Sequence, residues 1–196
     1  YASWRVNLTP HVQLGGENQL AIRLDNPQHS SRWYPGARIY RNVWLVKTQN
    51  VHVGQWGTFV TTPEIRPAAA TVAVRVTVDN DTTRDAAVRV STQIYGLDSG
   101  GGKSGPAVAR IAPAAMTVPA GGSAVAEGKT TVANPKLWGP PPRQKPNRYV
   151  AVTTVQRGDS VVDSYETPFG IRALRFDPDE GFFVNGEHTK LNGVCN

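Results

Sequence analysis

Thr71-Val72-Ala73-Val74-Arg75-Val76-Thr77-Val78 alternates without a break, valine at every even position and a small, polar or charged residue at every odd one. Successive side chains on a strand point to opposite faces, so this octet has one apolar face and one mixed face. It predicts a strand that buries four valines and leaves Arg75 in water. Asp79-Asn80-Asp81 follows as a turn, and Val88, Val90, Thr92 and Ile94 resume the two-residue period. Valines spaced in this way can close a core between two packed sheets.

Toward the C-terminus, residues 96–106 hold five Gly and two Ser and read as a flexible loop. Weaker strands are expected over 108–111 and 123–129, each bounded by Pro or Gly. Residues 149–156 and 160–167 form a hairpin across Arg157-Gly158-Asp159. Short strands at this spacing, punctuated by turns, argue for an immunoglobulin-like antiparallel β-sandwich over residues 49–172. Within it lies Asn134-Pro135-Lys136-Leu137-Trp138-Gly139-Pro140-Pro141-Pro142. Residue types leave two readings of that run: a polyproline ligand for another domain, or a stiff loop that tucks Trp138 against the sandwich. Further on, Phe182-Phe183-Val184 leads into Asn185-Gly186, a two-residue hairpin turn of type I′ character, and a strand is expected from Lys190 to Asn196.

Toward the N-terminus, Val6 and Leu8 alternate, Gly15-Gly16-Glu17-Asn18 turns, and Leu20, Ile22 and Leu24 have the period of a strand. Ser30 to Val46 then packs two Trp, two Tyr and three Arg into seventeen residues, with a turn at Pro35-Gly36 and strand-like alternation from Ile39. Flat rings beside forked guanidinium groups can stack on a sugar and bond its hydroxyls. They can equally glue a loop to its own domain, and residue types alone leave both readings open.

The chain has 196 residues, a net charge of +6 and 39% hydrophobic residues, with 19 Gly and 15 Pro that suit strands and turns. No window has helical periodicity, and no apolar run approaches the ~20 residues that span a bilayer. The basic residues are scattered with no run of five, so a solvated surface accounts for them better than a nucleic-acid site does. Cys195 is the only cysteine, which excludes an internal disulfide. His11, His29, His52 and His188 have no paired ligand spacing, so neither a metal nor a cofactor is expected. Asp177, Asp179 and Glu180 are the densest carboxylates and read as solvated turn residues. Gly100-Gly101-Gly102-Lys103-Ser104 lacks the spacing of a phosphate-binding loop. Asn7 and Asn80 open formal glycosylation triplets. Both ends read as cut, and the chain is expected to be part of a longer polypeptide.

The loop Ser30-Ser31-Arg32-Trp33-Tyr34-Pro35-Gly36, running on through Ile39-Tyr40-Arg41-Asn42-Val43-Trp44-Leu45, follows Gly16-Glu17-Asn18-Gln19-Leu20-Ala21-Ile22-Arg23-Leu24-Asp25-Asn26. Together they resemble the end of the sugar-binding jelly roll of glycoside hydrolase family 2, and within it the β-galactosidases. The Trp138 passage resembles the same family's immunoglobulin-like domain. Residues 182–196 resemble its approach to a (β/α)8 barrel. The resemblance implies an all-β chain in three parts: 1–48 the C-terminal part of the jelly roll, 49–172 the sandwich, and 173–196 the hairpin and first strand of a TIM barrel.

It also implies a parent enzyme that hydrolyses terminal β-galactosides with retention, a carbohydrate partner, and neither nucleic acid nor membrane. Some family members carry a sugar-contacting Asp seven residues before the Ile of Ile-Tyr-Arg. Arg32 stands at that position here, and Arg32 and Trp33 are the candidate substrate-binding residues. The family's acid/base lies in an Asn-Glu pair on a later barrel strand. No Asn-Glu occurs in this sequence, so no catalytic residue is assigned and the region is expected to be silent by itself. Unpaired jelly-roll edges carry a hazard of self-association. The alternatives are a free-standing carbohydrate-binding or adhesion module with no catalytic partner, and a basic binder of nucleic acid or anionic glycan.

Overall fold

The structure, a computed structural model, describes residues 3–25, 27 and 39–193. The chain divides into two compact units, Tyr1–Val46 and Lys47–Asn196.

In the second unit, seven strands form two antiparallel sheets. β1 (Val51–Arg66), β2 (Ala69–Asn80) and β5 (Ser123–Ala133) make one in the order β1-β2-β5. β3 (Ala86–Leu97), β4 (Lys103–Val118), β6 (Tyr149–Arg157) and β7 (Ser160–Phe169) make the other in the order β4-β3-β6-β7. The predicted octet is the middle of β2, the central strand of its sheet, and Val72, Val74, Val76 and Val78 are at most 3% exposed. They share one core with Val88, Val90 and Ile94 of β3, Val118 of β4 and Val155 of β6. Fully burying a side chain of this size contributes about 1.5–3 kcal/mol, so these alternating rows are the main force holding the sheets together.

Polar groups inside that core are paired. The hydroxyls of Thr92 and Thr153, opposite each other on β3 and β6, lie 3.0 Å apart and are both buried. Asn80, at the end of β2, is fully buried. Its Nδ2 donates to the carbonyls of Arg84 at 2.9 Å, Val118 at 3.1 Å and Pro119 at 3.2 Å. Its Oδ1 accepts from the Thr82 backbone N–H at 3.0 Å and the Thr82 hydroxyl at 2.7 Å. One amide thereby ties the end of β2 to the end of β4 in the opposite sheet. At the sheet edges, the Val53 N–H of β1 donates to Asp163 Oδ2 of β7 at 2.7 Å.

Several expectations change. The flexible loop of 96–106 is reduced to residues 98–102, because Gly96 pairs with Ser104 and Leu97 with Lys103. Glycine has an N–H and a C=O to give to a ladder and weakens it only modestly, so pairing with β4 outweighs its flexibility; the remaining turn is closed by Asp98, whose Oδ1 accepts from the Gly102 N–H at 2.8 Å. The weak strands at 108–111 and 123–129 are the middle of β4 and the first part of β5, with 16 and 11 residues. β1 carries no clean alternation because it is interrupted by bulges between Val53 and Thr58 and between Thr61 and Glu64.

Beyond β7, β8 (Leu174–Asp177), β9 (Gly181–Val184) and β10 (Glu187–His188) form a small antiparallel sheet in the order β10-β9-β8. Asn185 (φ 55°) and Gly186 (φ 82°) both take the positive φ that a type I′ turn requires. The strand expected from Lys190 is not formed over residues 190–193, which have no ladder partner, and residues 194–196 lie outside the described residues.

In the first unit, the strands expected around Val6, Leu20 to Leu24 and from Ile39 are likewise absent among the described residues. Alternation makes a face but supplies no partner, and an unpaired strand has no ladder to hold it. Leu20, Leu24, Trp44 and Leu45 are all exposed. The turn at Gly15 to Asn18 does form, closed by the Asn18 side chain on the Gln13 N–H at 2.8 Å and the Gln13 carbonyl at 2.9 Å.

Asn80→Ala removes the only side chain bonded to the Val118 and Pro119 carbonyls among the described contacts and leaves a small void. A loss of about 2–3 kcal/mol in urea unfolding is expected.

Candidate functional site

Arg32 and Trp33 lie outside the described residues, as does His29. The described flank of their loop retains a ring and a guanidinium together. Arg41 Cζ sits 5.4 Å from the Tyr40 ring centroid, and Arg41 Nη1 donates to Ser3 Oγ at 3.4 Å. Tyr40 and Trp44 are both exposed.

The histidines that are described do not converge. His52 lies on β1, and His188, on β10, packs edge-on against Phe183 at 5.4 Å between centroids. Among the described residues no three His, Cys, Asp or Glu side chains are placed to hold a metal ion. Asn80 opens a glycosylation triplet, but its amide is buried and bonded, so the folded sandwich does not present it.

The carboxylates at 177–180 are better held than their sequence implies. Asp177 ends β8, and its Oδ1 accepts the Glu180 N–H at 2.9 Å and the Asp179 N–H at 3.0 Å. Arg175 bridges Asp177 Oδ2 at 2.7 Å and Glu180 Oε2 at 3.0 Å, while its guanidinium lies 3.8 Å from the Phe183 ring centroid. Donation first from Glu180, then from Asp179, holds the Asp177 carboxyl below its ordinary range; slight desolvation opposes this and Arg175 adds to it. This is a turn-closing carboxylate with its lone pairs already engaged. Asp177 and Glu180 share one guanidinium and spend their bonds within their own turn.

The densest polar construction in the second unit is a joint between the Pro-rich run and the small sheet. Trp138 is half-buried. Its backbone N–H donates to the Ile171 carbonyl at 2.8 Å, and the Arg172 guanidinium covers its indole at 5.0 Å. A Cβ on Gly170 would lie 2.7 Å from Trp138 Cβ, so the strand end passes under the indole only as glycine. The run is therefore a stiff loop tucked on the sandwich and not a free arm.

Gln144 leaves that loop and grips the hairpin. Its Nε2 donates to the Val184 carbonyl at 3.0 Å and Glu187 Oε2 at 2.9 Å. In return Asn185 Nδ2 donates to Gln144 Oε1 and the Trp138 carbonyl, both at 2.8 Å, and Asn185 Oδ1 accepts the Ala173 N–H at 2.9 Å. Both amides have their donors and acceptors engaged, and Arg143 adds an ion pair to Glu187 at 3.5 Å. Sequence reading singles out Trp138 and the Asn185-Gly186 turn separately but not their connection. The sole signal is an amide, Gln144, set between Arg143 and Lys145 and bounded by Pro142 and Pro146.

The described residues of the second unit thus form a two-sheet sandwich that grips a small outlying sheet. The description of glycosyl hydrolases family 2 matches residues 51–172, and the chain belongs to that family. Over all 196 residues it is 38% identical to β-galactosidase BoGH2A of Bacteroides ovatus, of which it covers 22%. It is 29% identical over 208 residues to a β-glucuronidase of Formosa agariphila, covering 95% of this chain and 20% of that protein. The chain thus spans about a fifth of the length of these curated relatives. Among solved structures, a family 2 member from Bacteroides cellulosilyticus superimposes with a TM-score of 0.64 at 30% identity, covering 76% of this chain and 18% of that one.

Lowering the pH tests the turn at Asp177. Its folded carboxyl titrates below the ordinary aspartate value of about 3.9, so its stabilisation is present above that value and is lost as pH falls through the depressed folded value. A side-chain NMR titration should place the midpoint of Asp177 below the ordinary aspartate value. Asp177→Asn should remove the acid-dependent loosening of the β8–β9 turn.

Proposed function

We propose that this chain is the non-catalytic accessory region of a β-galactosidase that hydrolyses terminal β-galactosides with retention. Its catalytic carboxylates then reside on another part of the same polypeptide. The observation that carries the reading is 38% identity across the whole chain to a β-galactosidase, higher than to the β-glucuronidases. The sandwich acts as the spacer of that enzyme. Its rigid core sets a fixed frame, and the Gln144–Asn185 joint delivers the small sheet, with the chain that follows it, in one orientation. A near-attack geometry tolerates displacements of well under 1 Å, so a barrel presented by such a joint gains directly from its stiffness.

The second reading, a β-glucuronidase, is favoured by the relatives of that name, at 29% and 30% identity. Assaying the full-length protein with nitrophenyl β-galactoside and nitrophenyl β-glucuronide separates the two. A kcat/KM at least ten-fold higher on the galactoside is expected. The reverse preference replaces the first reading with the second, and no hydrolysis of either favours a free-standing binding module.

Arg32 and Trp33 complete the substrate end of this proposal. An Arg fork can donate to neighbouring sugar hydroxyls, and a Trp face suits the C–H groups of the ring. Arg32→Ala in the full-length enzyme should lower kcat/KM ten-fold or more, about 1.4 kcal/mol of lost transition-state binding, with Tm unchanged. An Arg32 that only braces its own loop gives the opposite pair of results, a lower Tm and normal kinetics per folded molecule.

A further inference from the structure

Asn185-Gly186 and Asn192-Gly193 are the two Asn-Gly pairs of the sequence, and the fold treats them differently. An asparagine followed by glycine is especially prone to cyclise, because no Cβ shields the next backbone nitrogen from the side-chain carbonyl carbon. Asn192 and Gly193 are exposed and have no ladder partner. Asn185 is half-buried in the joint, where its Nδ2 is held by the Trp138 carbonyl and Gln144 Oε1, and its Oδ1 by the Ala173 N–H. Cyclisation would swing Asn185 Cγ onto the Gly186 nitrogen and break these bonds. Gln144 cannot turn its own amide over to release one of them freely, since its Nε2 is committed to the Val184 carbonyl and Glu187 Oε2.

We propose that Asn185 is a masked site of covalent self-modification, closed while Gln144 holds its amide and reactive once the joint opens. In the opened turn the Gly186 nitrogen attacks Asn185 Cγ. The new N–Cγ bond replaces Cγ–Nδ2, the Gly186 amide proton leaves with the departing nitrogen as ammonia, and a succinimide ring results. Water then opens that ring at either carbonyl, giving an aspartyl or an isoaspartyl residue. One water enters for each ammonia lost, with no oxidation or reduction. Neither product restores the joint. A carboxylate has no N–H for the Trp138 carbonyl or Gln144 Oε1, and it sets negative charge against both acceptors. The isoaspartyl form also adds a methylene to the backbone, which breaks the geometry of a two-residue turn. Opening is reversible only until this chemistry occurs, so the joint carries a one-way release of the small sheet from the sandwich.

Peptide mapping by mass spectrometry of the 196-residue chain, held at mildly alkaline pH, tests this whether or not the parent protein hydrolyses galactosides. Lys190 lies between the two pairs, so trypsin separates them and Asn192 serves as an internal clock. In the folded chain Asn185 should convert at least about ten-fold more slowly than Asn192, and in urea the two rates should match. Gln144→Ala should speed Asn185 several-fold and leave Asn192 unchanged, with the cooperative melt of the sandwich retained. Urea below the unfolding transition gives the same reading without a substitution: the Asn185 rate should rise with urea while that of Asn192 stays level. Asn185→Asp, which installs the product, should let the Thr189 N–H exchange through a local opening while the amides of β2 keep their protection. Three results overturn the masked site: equal rates for Asn185 and Asn192 in the folded chain, a Gln144→Ala chain that keeps its melt without acceleration, or an Asn185 rate indifferent to urea. Unchanged exchange of Thr189 in Asn185→Asp overturns the release of the small sheet.

Discussion

One packing constraint underlies the second unit: the valine row of β2 must face the row of β3 across the space between the two sheets. Val72, Val74, Val76 and Val78 are buried because Val88, Val90 and Ile94 meet them from the other side. A slip of one residue in either strand would turn every one of these side chains into water, so the register is fixed as strongly as the core itself. Asn80 then closes the end of the row. It bonds to the last turn of β4 at the point where β2 has no further apolar residue to contribute.

The rest of this unit borrows its rigidity from that frame. Four of the seven sandwich strands are sheet edges, and β1 is tied to the opposite sheet through the Val53 N–H and Asp163. The β8–β10 sheet is too small to be stable by itself, since strands of two to four residues bury little surface. It keeps its place through Trp138, Gln144 and Asn185, a joint made of amide bonds and one half-buried indole. The core supplies stability while the joint supplies direction.

What could be read from the sequence followed how locally each feature is encoded. β2 and β3 were legible because their neighbours along the chain already define two faces. β1 was missed because an edge strand with two bulges keeps its inward residues, Val51, Val53 and Val60, out of a simple period. The glycine-rich 96–106 segment was misjudged because its role is carried by backbone pairing, to which glycine contributes no pattern. Family membership was legible from long ordered motifs, whereas the joint was not: Gln144 and Asn185 are 41 residues apart, and each is an ordinary polar residue until the fold brings them together. For Arg32 and Trp33 the loop composition and the family likeness remain the entire basis, as both lie outside the described residues.

Gln144 and Asn185 join the sandwich and the small sheet into one cooperative body. Native-state hydrogen exchange reads this at individual amides. The Asn185 N–H, bonded to the Ala173 carbonyl, and the Thr189 N–H, bonded to the Phe182 carbonyl, report on the small sheet. Amides of β2 report on the core. The account predicts opening free energies for both sets within about 1 kcal/mol of each other, with the same denaturant dependence. Exchange of Asn185 and Thr189 through a separate local opening, several kcal/mol below that of β2, would contradict it.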